Sequence, residues 1–142
     1  MVSRSVLLSV LLALSACDTV QAPDLLDGLN LTQDAAALVG TWDLVASQSS
    51  GEFGPPVVSR AAGLRYAETY VFRADGTFEN AFDGEVIQSG RYEVRRYEFE
   101  GRPTEVPYLF LNDGSRWFGI AGDRLFFDDR PVDGDLREYA RR

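Results

Sequence analysis

From residue 38 onward the hydrophobic pattern runs with a period of two. Tyr70 and Phe72 fall on one face of residues 65–73, Phe78 and Phe82 on one face of residues 77–82, and Val86, Tyr92 and Val94 on one face of residues 85–94. Alternation of this kind predicts half-buried strands rather than helices, because successive strand side chains point to opposite faces. Asp75-Gly76 and Asp83-Gly84 separate these runs, and Asp-Gly tolerates the positive φ that tight hairpins demand. Residues 39–46, 97–99, 106–111, 116–120, 124–128 and 136–141 continue the scheme, with turns at 112–114 and 121–123. Residues 48–63, which contain Gly51, Gly54, Pro55 and Pro56, are predicted to be a long loop. About eight short strands with regularly spaced turns predict an antiparallel barrel or sandwich. Strand–helix alternation is lacking, which excludes a doubly wound nucleotide-binding fold.

The first part of the chain is patterned differently. Residues 6–14 form an apolar run, broken only by Ser9 and preceded by Arg4. A helix that spans a bilayer needs roughly 20 apolar residues, so this run suits the apolar region of a secretion signal instead. Leu14-Ser15-Ala16-Cys17 follows, and Cys17 is the only cysteine in the chain. This segment resembles the lipobox of bacterial lipoproteins. That resemblance implies cleavage before Cys17, acylation of its thiol by palmitate-type chains, and anchoring to a membrane of the bacterial cell envelope, with the choice between inner and outer membrane left open. A lone cysteine forms no internal disulfide, which suits a lipid-bearing role. The expected organisation is a signal peptide over residues 1–16, the lipidated cysteine and a mostly disordered tether over 17–37, and a β domain over 38–142. Within the tether, Leu25, Leu26, Leu29 and Leu31 suit a turn packed on the domain. Thr32-Gln33-Asp34 suits the cap of a short helix through Leu38.

The β domain resembles the bacterial lipocalin-like domains. Gly40-Thr41-Trp42 looks like their Gly-x-Trp first strand, residues 70–78 like a second shared segment, Gly90-Arg91-Tyr92 like the next strand, and Tyr139-Ala140-Arg141 like the closing strand. The resemblance implies an up-and-down barrel of about eight strands. In it Gly40, Trp42 and Arg141 close one end, with the arginine stacked on the tryptophan. The match covers residues 38–142, a span short for a barrel with a deep calyx.

Composition narrows the chemistry. The formal charge is −8, and Arg4 is the only charged residue in the signal, so the mature chain is more acidic still. Such a chain does not bind nucleic acid through phosphate neutralisation. There is no His and no Lys, which removes imidazole bases, Schiff-base lysines and His/Cys zinc sites. No cofactor, metal site or catalytic activity is expected. Asp128, Asp129, Asp133 and Asp135 read as a solvated acidic turn rather than a calcium loop. Phe53, Tyr70, Phe72 and Trp117 are the candidate lining of an apolar pocket, with residues 48–63 as its lid. Two readings follow for the function: an anchored barrel that holds a small hydrophobic or amphipathic ligand, or a non-catalytic lipoprotein that docks another envelope protein.

Overall fold

The computed structural model describes residues 24–51, 54–112 and 114–142. Cys17, the signal segment and Phe53 lie outside the described residues. In chain order the elements are α1 (Ala35–Leu38), β1 (Gly40–Gln48), β2 (Val58–Arg60), η1 (Ala61–Gly63), β3 (Glu68–Phe72), β4 (Thr77–Phe82), β5 (Glu85–Arg91), β6 (Glu93–Arg95), β7 (Glu98–Phe99), β8 (Arg102–Pro103), β9 (Tyr108–Leu111), β10 (Gly114–Ala121), β11 (Arg124–Asp128), η2 (Arg130–Val132) and β12 (Leu136–Arg141). Every pairing is antiparallel, and the main sheet runs β5-β4-β3-β1-β12-β11-β10-β9-β6. Among the described residues no helix is long and apolar enough to cross a membrane.

The two ends of that sheet are two halves of one strand. Only Tyr92 separates β5, which pairs with β4, from β6, which pairs with β9. The bent strand therefore nearly closes the sheet, giving an up-and-down barrel of the expected kind with eight strand positions around it. The bend is fixed on both sides. The Tyr92 amide donates to Gly76 O at 2.9 Å and its hydroxyl to Arg73 O at 2.9 Å. Across the seam Asn112 Nδ2 donates to Ser89 O at 2.5 Å, and a Cβ at Gly90 would collide with that amide.

Trp42 lies at the closed end with no exposure, its Nε1 donating to Leu38 O at 2.7 Å. Arg141, opposite Trp42 in the register, lays its guanidinium 4.1 Å from the ring centroid. The same group donates to Val39 O at 2.6 Å and Ala37 O at 2.9 Å. Gly40 has φ 147°, and a Cβ there would sit 2.5 Å from the guanidinium. Helix α1 covers this end, with the Asp34 side chain accepting from the Ala36 amide as the 32–34 motif suggested.

Residues 24–34 depart from the expected tether. They form a strap across the outer face of β12, β11 and β10. Thr32 and Ile120 exchange backbone hydrogen bonds at 2.8 Å, Gln33 Nε2 donates to Phe118 O at 2.8 Å, and Leu31 rests against Gly119. The physical reason lies in β11. Leu125, Phe126 and Phe127 are consecutive and all wholly buried, so this strand needs cover on both faces. The barrel interior takes Leu125 and Phe127, while Phe126 and Leu136 are buried on the outer face, where Leu31 of the strap rests on the neighbouring Gly119. The long loop also differs from expectation. Val58–Arg60 pairs with Ala46–Gln48 as β2, extending the barrel wall where a lid was expected.

Trp42→Ala is expected to destabilise the fold by about 3–5 kcal/mol, since it empties a filled site and strands the Arg141 guanidinium. Urea denaturation checks this, and an unchanged midpoint would remove Trp42 from the closing cluster.

Candidate functional site: a charged network above a filled barrel

The inward positions of β1, β3, β4, β10, β11 and β12 place Leu44, Tyr70, Phe72, Phe78, Phe118 and Tyr139 in one buried cluster with Trp42, Leu125 and Phe127. The rings pack on one another. Tyr70 lies parallel to Phe72 at 5.6 Å and edge-on to Phe127 and Tyr139 at 5.3 and 5.6 Å. Such offset and edge-to-face contacts are the favourable arrangements of aromatic quadrupoles. Of the candidate ligand residues, Tyr70 and Phe72 are brought together and Trp117 stands apart from them. Tyr70 and Phe72 stand within this packed interior, 3% and 1% exposed. Trp117 pairs with Asp128 on the outer face, and Phe53 lies outside the described residues.

Above the apolar layer lies a polar group of residues not singled out from the sequence. Glu68, Asn80 and Arg137 are drawn inward beside Tyr139. Glu68 Oε2 accepts from Tyr139 Oη at 2.8 Å and from Arg137 Nη1 at 3.2 Å, while Oε1 accepts from Asn80 Nδ2 at 3.0 Å. Arg137 Nη2 reaches on to Asp129 Oδ2 at 2.7 Å. Arg116 crosses the interior between Asp129, at 3.7 Å, and the Tyr70 hydroxyl, to which it donates at 3.1 Å. The network alternates in charge and satisfies both Glu68 oxygens, which is the condition for burying a carboxylate at all. A signal for it existed, because residues 68, 70 and 72 share a face, as do 137, 139 and 141. Glu68 and Arg137 stand at inward positions by parity alone.

Three of the four aspartates of the acidic turn have side-chain partners. Arg130 binds Asp128 through two hydrogen bonds of 2.8 Å, and Asp129 is held by Arg137. Asp135 accepts from Ser47 Oγ at 3.1 Å. Among the described residues no three carboxylates converge as metal ligands.

A lateral pocket of about 310 Å³ lies beside η2. Tyr97, Tyr108 and Trp117 form its aromatic walls, Arg116 and Asp128 its polar ones, and Val132 its rim. A smaller cavity of about 120 Å³ lies near the mouth between Leu44, Leu64, Tyr66 and Asp135.

No family model, no curated protein and no solved structure matches this chain. The barrel class accordingly rests on the strand order and register alone.

Burial sets the protonation of the two inner tyrosines. Desolvation pushes the Tyr70 hydroxyl up to about 12, with Arg116 opposing and Glu68 adding to the rise. Tyr139 is pushed well above its ordinary value by its complete burial and by the Glu68 charge. Both rings keep their protons in the fold at a pH where an unfolded tyrosine, with a pKa of about 10, has lost its own. Their contribution is therefore whole below pH 10 and declines as pH rises from about 10 toward 12, by about 1.4 kcal/mol per pH unit for each ring. Denaturation curves collected at rising pH should show this slope, and Tyr70→Phe should lower it by the share of one ring, leaving the shares of Tyr139 and of Tyr92, which partial burial also raises. A Tyr70→Phe variant with the parent slope would place the titration elsewhere.

Proposed function

We propose that this protein is a lipid-anchored, non-catalytic module of the bacterial cell envelope that acts through its outer surface and loops on another envelope component. The anchor reading is supported by the Leu14-Ser15-Ala16-Cys17 segment behind an apolar run and by the solitude of that cysteine. The observation that favours surface action over an internal ligand is the filled interior. The central barrel positions are held by Tyr70, Phe72, Phe118, Phe127 and Tyr139, and the layer above them by the Glu68–Arg137–Asp129 network. An eight-stranded barrel is just wide enough for its own side chains or for one small ligand, and here the side chains take the space.

A second reading has one observation in its favour. The lateral pocket is near the lower end of the size range for small-molecule sites, and it joins three aromatic walls to a guanidinium. A small amphipathic molecule would fit that chemistry, with its apolar part on Trp117 and Tyr108 and its polar part beside Arg116, Asp128 and Asp129.

The anchor is tested by Cys17→Ser, which should move the protein from the membrane to the soluble fraction. Continued sedimentation with membranes would overturn the anchor. Native mass spectrometry of the chain purified from cells, with titration of Trp117 fluorescence by fatty acids, tests the choice between readings. A bare mass and unquenched fluorescence support surface action, whereas a co-purified molecule lost on Trp117→Ala supports the pocket.

A further inference from the structure

The barrel has two unlike ends. At one end lie α1, the 73–77 turn and the β10–β11 turn, closed over by Arg141, whose amide donates to Asp123 O at 2.9 Å. The other end carries the β1–β2 loop, the β4–β5 turn and the β11–β12 loop. Side-chain contacts there join β1 to the β11–β12 loop, and the segment before β3 to the β4–β5 turn. Ser47 Oγ donates to Asp135, the Ala67 amide donates to Asp83, and the Tyr66 ring meets Phe82 at 4.9 Å.

Exposed apolar side chains favour this second end. Val132 is 78% exposed and Val57 59%, and Tyr66, Val86 and Ile87 are exposed beside them. Phe99 and Val106, near the β7–β8 hairpin, are the other large apolar side chains exposed among the described residues. A rim of isolated apolar tips around a ring of loops is not needed for folding, since none of these residues belongs to the core cluster. Single exposed apolar side chains are ordinary, and it is the gathering of five of these seven at one end of the barrel that suits contact with another phase.

The strap begins at the same end. Asp24 is held there by Arg130 at 2.5 Å, and the Leu25 amide donates to Gln48 Oε1 at 3.1 Å. From Asp24 the chain descends the outer face to α1 and enters β1 from the closed end. Seven peptide units join Cys17 to Asp24, a reach of about 25 Å even at full stretch. The nine residues of β1 span about 30 Å along the strand, and at the usual barrel tilt of about 40° that is about 23 Å along the axis, close to the full stretch of the connection. A bilayer holding Cys17 would therefore meet the loop end first. It meets the closed end only with the connection drawn taut along the whole barrel.

From these two independent features we infer that the loop end faces the bilayer, and that Val57, Val132 and Ile87 rest in its headgroup region. The proposal depends on the lipid anchor at Cys17. The occupant of the rim is a zwitterionic lipid surface, because the exposed Asp83, Glu85, Asp133 and Asp135 outnumber the exposed Arg65 among the apolar tips, and this acidic excess is repelled by anionic headgroups. The closed end and the β10–β11 turn then point away from the membrane, toward the compartment where a protein partner is met.

The test uses the full chain, produced with its signal and reconstituted in phosphatidylcholine vesicles. Val132→Cys, Ile87→Cys and, at the closed end, Ala74→Cys each take an environment-sensitive thiol dye. Phosphatidylcholine spin-labelled near the headgroup is the quencher. Quenching at 132 and 87 at least twofold stronger than at 74 is the expected result. Intact mass of the same samples reports on the anchor separately. Acylated Cys17 with equal quenching at all three sites, or with strongest quenching at 74, overturns the orientation and leaves the anchor standing. Unacylated Cys17 overturns the anchor and the orientation with it. In a further arm, 30% phosphatidylglycerol should weaken the rim quenching, and a rise instead would overturn the choice of a zwitterionic surface.

Discussion

Arg141 holds the first and last strands of the barrel together with the elements that cap it. Its guanidinium lies on the Trp42 ring, donates to the carbonyls of Ala37 and Val39, and stands 3.3 Å from Asp123. One planar group thus ties the last strand to the first, to the helix that caps the barrel and to the β10–β11 turn. The contact at Asp123 is exposed and adds little. The contacts that matter are the stacked ring and the two carbonyls left over by a helix of only four residues, which would otherwise be open polar groups near a buried indole. An arginine suits this place because its flat face and its forked edge serve at the same time. Gly40 is the complement, since only a residue without Cβ leaves room for that plane.

Closing the first strand to the last imposes a second requirement. The wall made by β1, β12, β11 and β10 is apolar on both faces, because Ala46, Phe126 and Leu136 turn outward and are still buried. The strap, made of the polypeptide that arrives from the N-terminus, rests on this wall at Gly119, so the connection to the proposed anchor is itself part of the packing. Glu138 shares this outer layer. It is wholly enclosed, 2.9 Å from Arg124 and 3.5 Å from Arg60, and the two half-exposed guanidiniums hold its charge.

Much of this was legible in the amino-acid sequence. Alternation at Tyr70, Phe72 and Phe78 and the Asp-Gly turns at 75 and 83 carried the hairpins β3–β4 and β4–β5 to within a few residues. Two features were not legible, for different reasons. The register of β1 slips between Leu44 and Ala46, so parity read from Trp42 fails beyond Val45, and no local residue type announces such a bulge. The charged network was readable by parity, yet Glu68 and Arg137 belong to residue types that face solvent in most strands. Their burial follows only from the presence of each other across the barrel, a pairing between residues 69 positions apart. Tyr70 and Phe72 were placed on the correct face. Whether that face lined a pocket or filled a core depended on the sizes of all the opposing side chains together.

The filled interior and the charged layer bear on function through one shared constraint. A ligand entering this barrel would have to displace aromatic rings that pack on several sides, and then open ion pairs already matched in number and sign. Removing one member of a buried pair costs about 3–5 kcal/mol, and a neutral ligand offers no charge in return. The surface carries no such barrier. Its apolar tips are exposed at the loop end, its aromatic pocket opens beside η2, and its acidic groups elsewhere keep it away from anionic partners. A barrel built this way is rigid within and selective without, so its specificity resides in loops and in the outer walls, where single substitutions change contacts while leaving the fold intact.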